Sequence, residues 1–180
     1  MPDTKHHTTQ ESVVWLCIDP GLGGTGLAAF WSGSPPVLLF WDVVKPKKEL
    51  DWFPRVTVVC DYVSHVVTER LKQEQVHVFI ETPQFIGGSG RGYATAGSGD
   101  LVATAVLVGA LARECGHLGV PCVLVPISWK GQLPKRIVQK RVMVALGLKE
   151  TTIPNHAADA TGMGLWLATK EGQPYATAHD

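Results

Sequence analysis

The sequence predicts an α/β domain: a mixed five-stranded sheet, three antiparallel strands followed by alternating strands and helices, with helices flanking it. Three observations carry this. Residues 13–19, 26–31 and 37–43 are short β-branched or aromatic runs separated by Gly and Pro clusters, the pattern of strands joined by hairpins. Two further short apolar runs, 76–81 and 121–126, alternate with longer stretches of helical period. At 180 residues, with 45% hydrophobic and 18% charged residues, the chain can bury the core of one ordinary domain.

Residues 1–11 are polar and unpatterned, so the first strand opens the ordered part, 12–170, and His6-His7 falls in a disordered tail. After the meander, Val56, Val59, Cys60, Val63, Val67 and Leu71 recur at three- and four-residue intervals. This predicts a helix over 54–75; its valines favour a strand, but about twenty residues are too many for one. The strand 76–81 leads into Gly87-Gly88-Ser89-Gly90-Arg91-Gly92, read as a mobile loop. Asp100 then caps a helix to about 115, Gly116 and Gly119 end it, and Pro121 and Pro126 bracket the fifth strand. Helices over 135–146 and 156–169 close the domain, and 171–180 is a second disordered tail.

Sixteen basic and sixteen acidic residues cancel, so no global field draws the chain to nucleic acid or membrane and local charge decides. The longest apolar stretch, 101–112, holds Thr104 and Gly109 and runs into Arg113-Glu114, so it reads as a buried helix and not a membrane span. Residues 1–12 lack an apolar signal segment, which points to a cytosol-like compartment. Cys17, Cys60, Cys115 and Cys122 lie in apolar segments without a Cys-x-x-Cys pair and read as small buried hydrophobes.

Four polar residues interrupt or end apolar segments: Asp19, Glu81, His156 and Asp159. Asp19 and Glu81 sit at the C-terminal ends of strands that look central, where a carboxylate has little water and needs a basic residue, a helix N-terminus or a metal ion. His156 and Asp159, three apart on a helix that Asn155 is placed to cap, share one face near the positive end of the helix dipole. Together they make a hard, oxygen-rich set suited to Mg²⁺ or Mn²⁺. Lys130, Lys135, Arg136, Lys140 and Arg141 add a basic segment of twelve residues with no acid among them, enough to contact several phosphates.

The segment Ile18-Asp19-Pro20-Gly21 with Thr25-Gly26, the strand end Phe79-Ile80-Glu81 and the run Asn155-His156-Ala157-Ala158-Asp159-Ala160 resemble the RuvC family of Holliday-junction resolvases, in the RNase H-like superfamily. The resemblance spans about 13–168, and Trp129-Lys130-Gly131-Gln132-Leu133-Pro134-Lys135 is similar to phage-borne members. It implies the RNase H-like element order, Asp19, Glu81 and Asp159 as catalytic metal ligands with His156 in the fourth place, and two Mg²⁺ or Mn²⁺ ions per site. It also implies cleavage of branched DNA to 5′-phosphate and 3′-hydroxyl ends, contacts to DNA from Lys130 and Lys135, beside which Arg136 of the basic segment is a further candidate DNA contact, and an aromatic residue after the catalytic glutamate that stacks on bases. Phe85 is nearest to that place, with Tyr93 as a substitute and Arg91 beside it as a further DNA contact. A homodimer in a bacterial or phage-infected cell follows from the same resemblance, and the apolar circumference of 101–112 calls for a partner independently.

Two other readings compete. Gly21-x-Gly23-x-x-Gly26 after a strand, with Asp42 twenty-one residues beyond Gly21, meets the dinucleotide-binding spacing, although the segment after Gly26 is short and broken by Gly33, Pro35 and Pro36. A non-catalytic junction-binding protein would share the fold without turnover, which the intact set of four ligands disfavours.

Overall fold

The three opening runs form β1 (Val13–Asp19), β2 (Thr25–Trp31) and β3 (Val37–Val44), and β4 (Gln75–Thr82) and β5 (Cys122–Pro126) join them; the computed structural model describes residues 13–33, 35–83, 100–131, 133–148 and 153–170. The sheet order is β3-β2-β1-β4-β5, antiparallel among the first three and parallel from β1 through β4 to β5. Helices α1 (Trp52–His65), α2 (Asp100–Leu118), α3 (Lys135–Ala145) and α4 (Asn155–Lys170) complete the expected mixed five-stranded RNase H-like architecture.

Strand parity separates two cores. Val14, Leu16 and Ile18 of β1 and Val76, Val78 and Ile80 of β4 pack with Val59 and Val63 of α1 and Leu107 and Leu111 of α2. Trp15 and Cys17 of β1 and Phe79 of β4 face the other way, onto Ala160, Met163 and Leu167 of α4. A third cluster joins α3 to the start of α4 through Val138, Val142, Ile153, Ala157 and Ala158. Cys17 and Cys115 are buried, Cys60 and Cys122 half-buried, and all four are free thiols.

Some element limits depart from expectation. The helix expected over 54–75 ends as an α-helix at His65 and widens into a π turn, Val66–Arg70, closed by the Leu71 N–H on the Val66 carbonyl at 3.0 Å. The wider turn brings Arg70 to Asp42 at 3.3 Å and over the Phe40 ring at 3.8 Å, while Tyr62 also donates to Asp42. α4 begins at Asn155 itself: the Ala158 N–H bonds to the Pro154 carbonyl at 2.8 Å, so Pro154 occupies the cap position expected for Asn155. The whole of α2, longer than the run 101–112, is apolar enough by length and composition to cross a membrane, yet it lies along the sheet with Ala103, Leu107, Val108, Leu111 and Cys115 buried.

The dinucleotide reading fails on topology, because Gly26 lies inside β2, antiparallel to β1, where that fingerprint needs a helix. Gly26, the last of the three, serves α4 instead. A Cβ on Gly26 would land on the His156 carbonyl, and one on Gly21 or Gly24 would come within 3.3 or 3.4 Å of the His156 ring, whereas Gly23 faces open space. We expect Gly26→Ala to cost at least about 2 kcal/mol by overpacking against backbone. The companion Gly23→Ala should stay within about 0.5 kcal/mol of wild type. Thermal unfolding of the two variants checks this; equal melting temperatures would mean that α4 does not rest on Gly26.

Candidate active site

The parity that builds the second core also aims the carboxylates. Asp19 continues the series Trp15, Cys17, and Glu81 continues the series His77, Phe79, so both point to the α4 side at the C-terminal ends of adjacent parallel strands, where Ile18 pairs with Ile80. α4 can lie close there because β2 offers it Gly26 and Ala28. Its first turns bring His156 and Asp159 to the same end. Asp19, Glu81 and Asp159 are only 7%, 6% and 4% exposed, so three carboxylates are buried together.

They are balanced in two groups. His156 Nδ1 lies 2.6 Å from Asp19 Oδ2. The Lys130 ammonium donates to Glu81 Oε1 at 2.9 Å and to Asp159 Oδ2 at 3.0 Å, and the Trp129 indole N–H donates to Glu81 Oε2 at 2.6 Å. Burial pulls the Lys130 ammonium down, but Glu81 and Asp159 outweigh it and hold its pKa above the ordinary lysine value. Burial first, and the Asp19 charge second, hold the Glu81 carboxyl above the usual carboxylate range despite both donors.

All four expected residues therefore meet at one end of the sheet. Among the described residues, however, no three His, Cys, Asp or Glu side chains converge as a ready-made metal cage. Lys130, expected in the exposed basic segment, turns inward with a side chain only 15% exposed, held by two carboxylates. Lys135, Arg136, Lys140 and Arg141 are exposed on α3 and form no ion pair among the described residues. Phe85, Arg91 and Tyr93 lie outside the described residues. Nothing in the sequence marks Trp129 as a partner of Glu81. Its only signal is its place between the fifth strand and the basic segment, in the 3₁₀ turn Ile127–Lys130.

No family model matches the chain and no curated protein matches it. Among solved structures, the chain is similar to RuvC of Thermus thermophilus in complex with a Holliday junction substrate, with a TM-score of 0.68, 25% identity, and coverage of 90% of this chain and 97% of that one. A second Thermus thermophilus RuvC structure gives 0.66, 26%, 89% and 96%. The yeast mitochondrial Holliday junction resolvase shares the fold at a TM-score of 0.52, with 11% identity and coverage of 90% and 83%.

The raised Glu81 pKa makes the site a cost to folding. Because the unfolded chain ionises Glu81 at lower pH than the folded chain, it binds fewer protons across that interval, and stability falls as pH rises through it. In chelator-treated protein we expect Glu81→Gln to melt above wild type at pH 7, with the gap closing as pH falls below about 4.3, where the unfolded glutamate protonates. A Glu81→Gln protein no more stable than wild type at pH 7 would contradict this.

Proposed function

We propose that this chain, RuvC-like and RNase H-like in fold, is a metal-dependent, structure-selective DNA endonuclease that resolves Holliday junctions and leaves 5′-phosphate and 3′-hydroxyl ends. One observation carries the reading: three buried carboxylates converge at the C-terminal end of adjacent parallel strands, on a fold aligned over 90% of its length with a protein solved on junction DNA. Its phage-type character rests on the segment from Trp129 to Lys135, and its place in the cytoplasm of a bacterial or phage-infected cell on the same likeness.

The donor set fits a hard divalent cation. Glu81 and Asp159 already share one ammonium, and Asp19 faces an imidazole, so the site is rich in hard oxygen and short of positive charge. Asp19, Glu81, Asp159 and His156 would hold Mg²⁺ or Mn²⁺, two ions per site, supplying an ionised water and charge for the leaving 3′ oxygen. Lys130 opposes the upward pull of burial and of Asp19 on the Glu81 carboxyl and offers a cation beside the scissile phosphate. Lys135 and Arg136 occupy the first turn of α3, which has no acidic residue and no side-chain cap, an arrangement that opposes the helix dipole unless an anion sits there. With Lys140 and Arg141 they form the phosphate-binding face, and Phe85, Arg91 and Tyr93, which follow Glu81 in sequence, are assigned to junction contacts.

The partner face is α2. Val102 is 64% and Val106 38% exposed, and Ala105 and Gly109 continue the same exposed stripe. A second copy meeting this stripe would give an isologous dimer with two sites, matching the two scissile strands of a junction.

Labelled four-way junctions, flaps and forks incubated with Mg²⁺ or Mn²⁺ test the reading. We expect paired cuts at the junction, and cleavage reduced at least about 100-fold in Asp19→Asn, Glu81→Gln and Asp159→Asn with junction binding retained. His156→Asp should stay active, and His156→Ala should be impaired at low metal and regain activity with excess Mn²⁺. Binding without cleavage at every divalent-ion concentration would instead identify a junction-binding protein. Charge reversal at Lys135 and Arg136 should lower the slope of log affinity against log salt by about 1 for each phosphate that is no longer neutralised. Val106→Asp should yield a monomer in sedimentation velocity where wild type is a dimer.

A further inference from the structure

We propose that Trp129 is a positioning residue for Glu81, holding the carboxylate in the orientation that cation binding needs; the inference rests on the nuclease reading and deepens it. Consecutive residues of one 3₁₀ turn take one glutamate oxygen each: the Trp129 N–H reaches Oε2 at 2.6 Å and the Lys130 ammonium reaches Oε1 at 2.9 Å. Each oxygen keeps a lone pair free for a further ligand. The two donors differ in kind. Lys130 carries charge, is shared with Asp159, and competes with any cation for the same two carboxylates. The indole N–H is neutral, has no acceptor capacity and cannot ionise, so it fixes the geometry of Glu81 without opposing positive charge.

The ring is itself held. A Cβ on Gly162 of α4 would lie 3.0 Å from Trp129 Cη2 and 3.2 Å from Val138 Cγ1, so the absent side chain at 162 is what seats the indole between α3 and α4. Trp166 packs beside it with ring centroids 6.4 Å apart. At the other end, Thr82 Oγ1 donates to the Val125 carbonyl at 3.2 Å, tying the end of β4 to β5 just before the turn begins. Both ends of the Trp129–Glu81 hydrogen bond are thus anchored, one in the sheet and one between the two helices that carry the basic face and Asp159.

The test uses the full chain, ¹⁵N-labelled, with the Trp129 indole resonance identified by its loss in Trp129→Phe, which keeps a ring and drops the donor. Glu81→Gln should move that resonance upfield and speed its exchange with solvent. Mn²⁺ affinity, read by electron paramagnetic resonance without DNA, should fall about 10-fold in Trp129→Phe, the scale of an outer partner of a metal ligand. The double variant should bind Mn²⁺ no more weakly than Glu81→Gln alone, because the indole acts only through that carboxylate. Gly162→Ala, which keeps the indole but displaces it, should weaken Mn²⁺ binding in the same direction. In junction cleavage, Trp129→Phe should lower kcat about 10-fold and leave KM unchanged. An indole resonance indifferent to Glu81→Gln, or decreases in Mn²⁺ affinity that add in the double variant, would overturn the inference. If those two measurements come out as expected and the wild-type protein cuts no branched DNA, Trp129 positions a cation ligand and the nuclease reading fails alone.

Discussion

Three carboxylates buried within one end of a sheet repel each other, and the surrounding architecture is arranged to tolerate that repulsion. Asp19, Glu81 and Asp159 come from three separate elements, and each is less than a tenth exposed. The folded chain keeps them together only because cationic or polar groups are delivered to the same place: Lys130 and Trp129 from the turn after β5, and His156 from the first turn of α4. The two cores on either side of the sheet supply the rigidity that this arrangement draws on, since a carboxylate on a mobile element would escape to water.

The close approach of α4 to the sheet is the second requirement, and it is met by subtraction. Gly26 in β2 and Gly164 in α4 are places where a methyl group would strike the His156 carbonyl or the Phe30 ring. Small residues on both surfaces bring Asp159 to the depth of Asp19 and Glu81. Function here depends on atoms that are missing as much as on those present.

Much of this was legible in the sequence because it follows from period. Alternation in 13–19 and 76–81 separates the two faces, and the position of Asp19 and Glu81 within that alternation puts them on one side. The three-residue spacing of His156 and Asp159 does the same for α4. What escaped lies where period carries no information. Residues 130–141 read as one basic segment, but a 3₁₀ turn and Pro134 divide it, sending Lys130 inward and leaving Lys135 and Arg136 outside. The indole of Trp129 follows Lys130 for the same reason. The glycines after Asp19 matched a nucleotide motif by spacing alone, and the pairing of β2 with β1 shows instead that Gly26 lies inside a strand, where it makes room for α4.

The π turn at Val66–Arg70 has an implication for how this chain tolerates change in length. A π turn is an α-helix carrying one residue more than its hydrogen bonding requires. Here that surplus rotates Arg70 onto Asp42 and Phe40, so the β3 edge of the sheet is clasped by the end of the helix. Remove one residue and the end of this last turn shifts by about 100° around the helix axis, the angle of one helical step. Arg70 would then swing off the β3 edge, while Val56, Val59 and Val63, which precede the turn, would keep their place. The segment ends the helix and leads directly into the turn before β4, so the Arg70 clasp on β3 depends on the number of residues in this last turn.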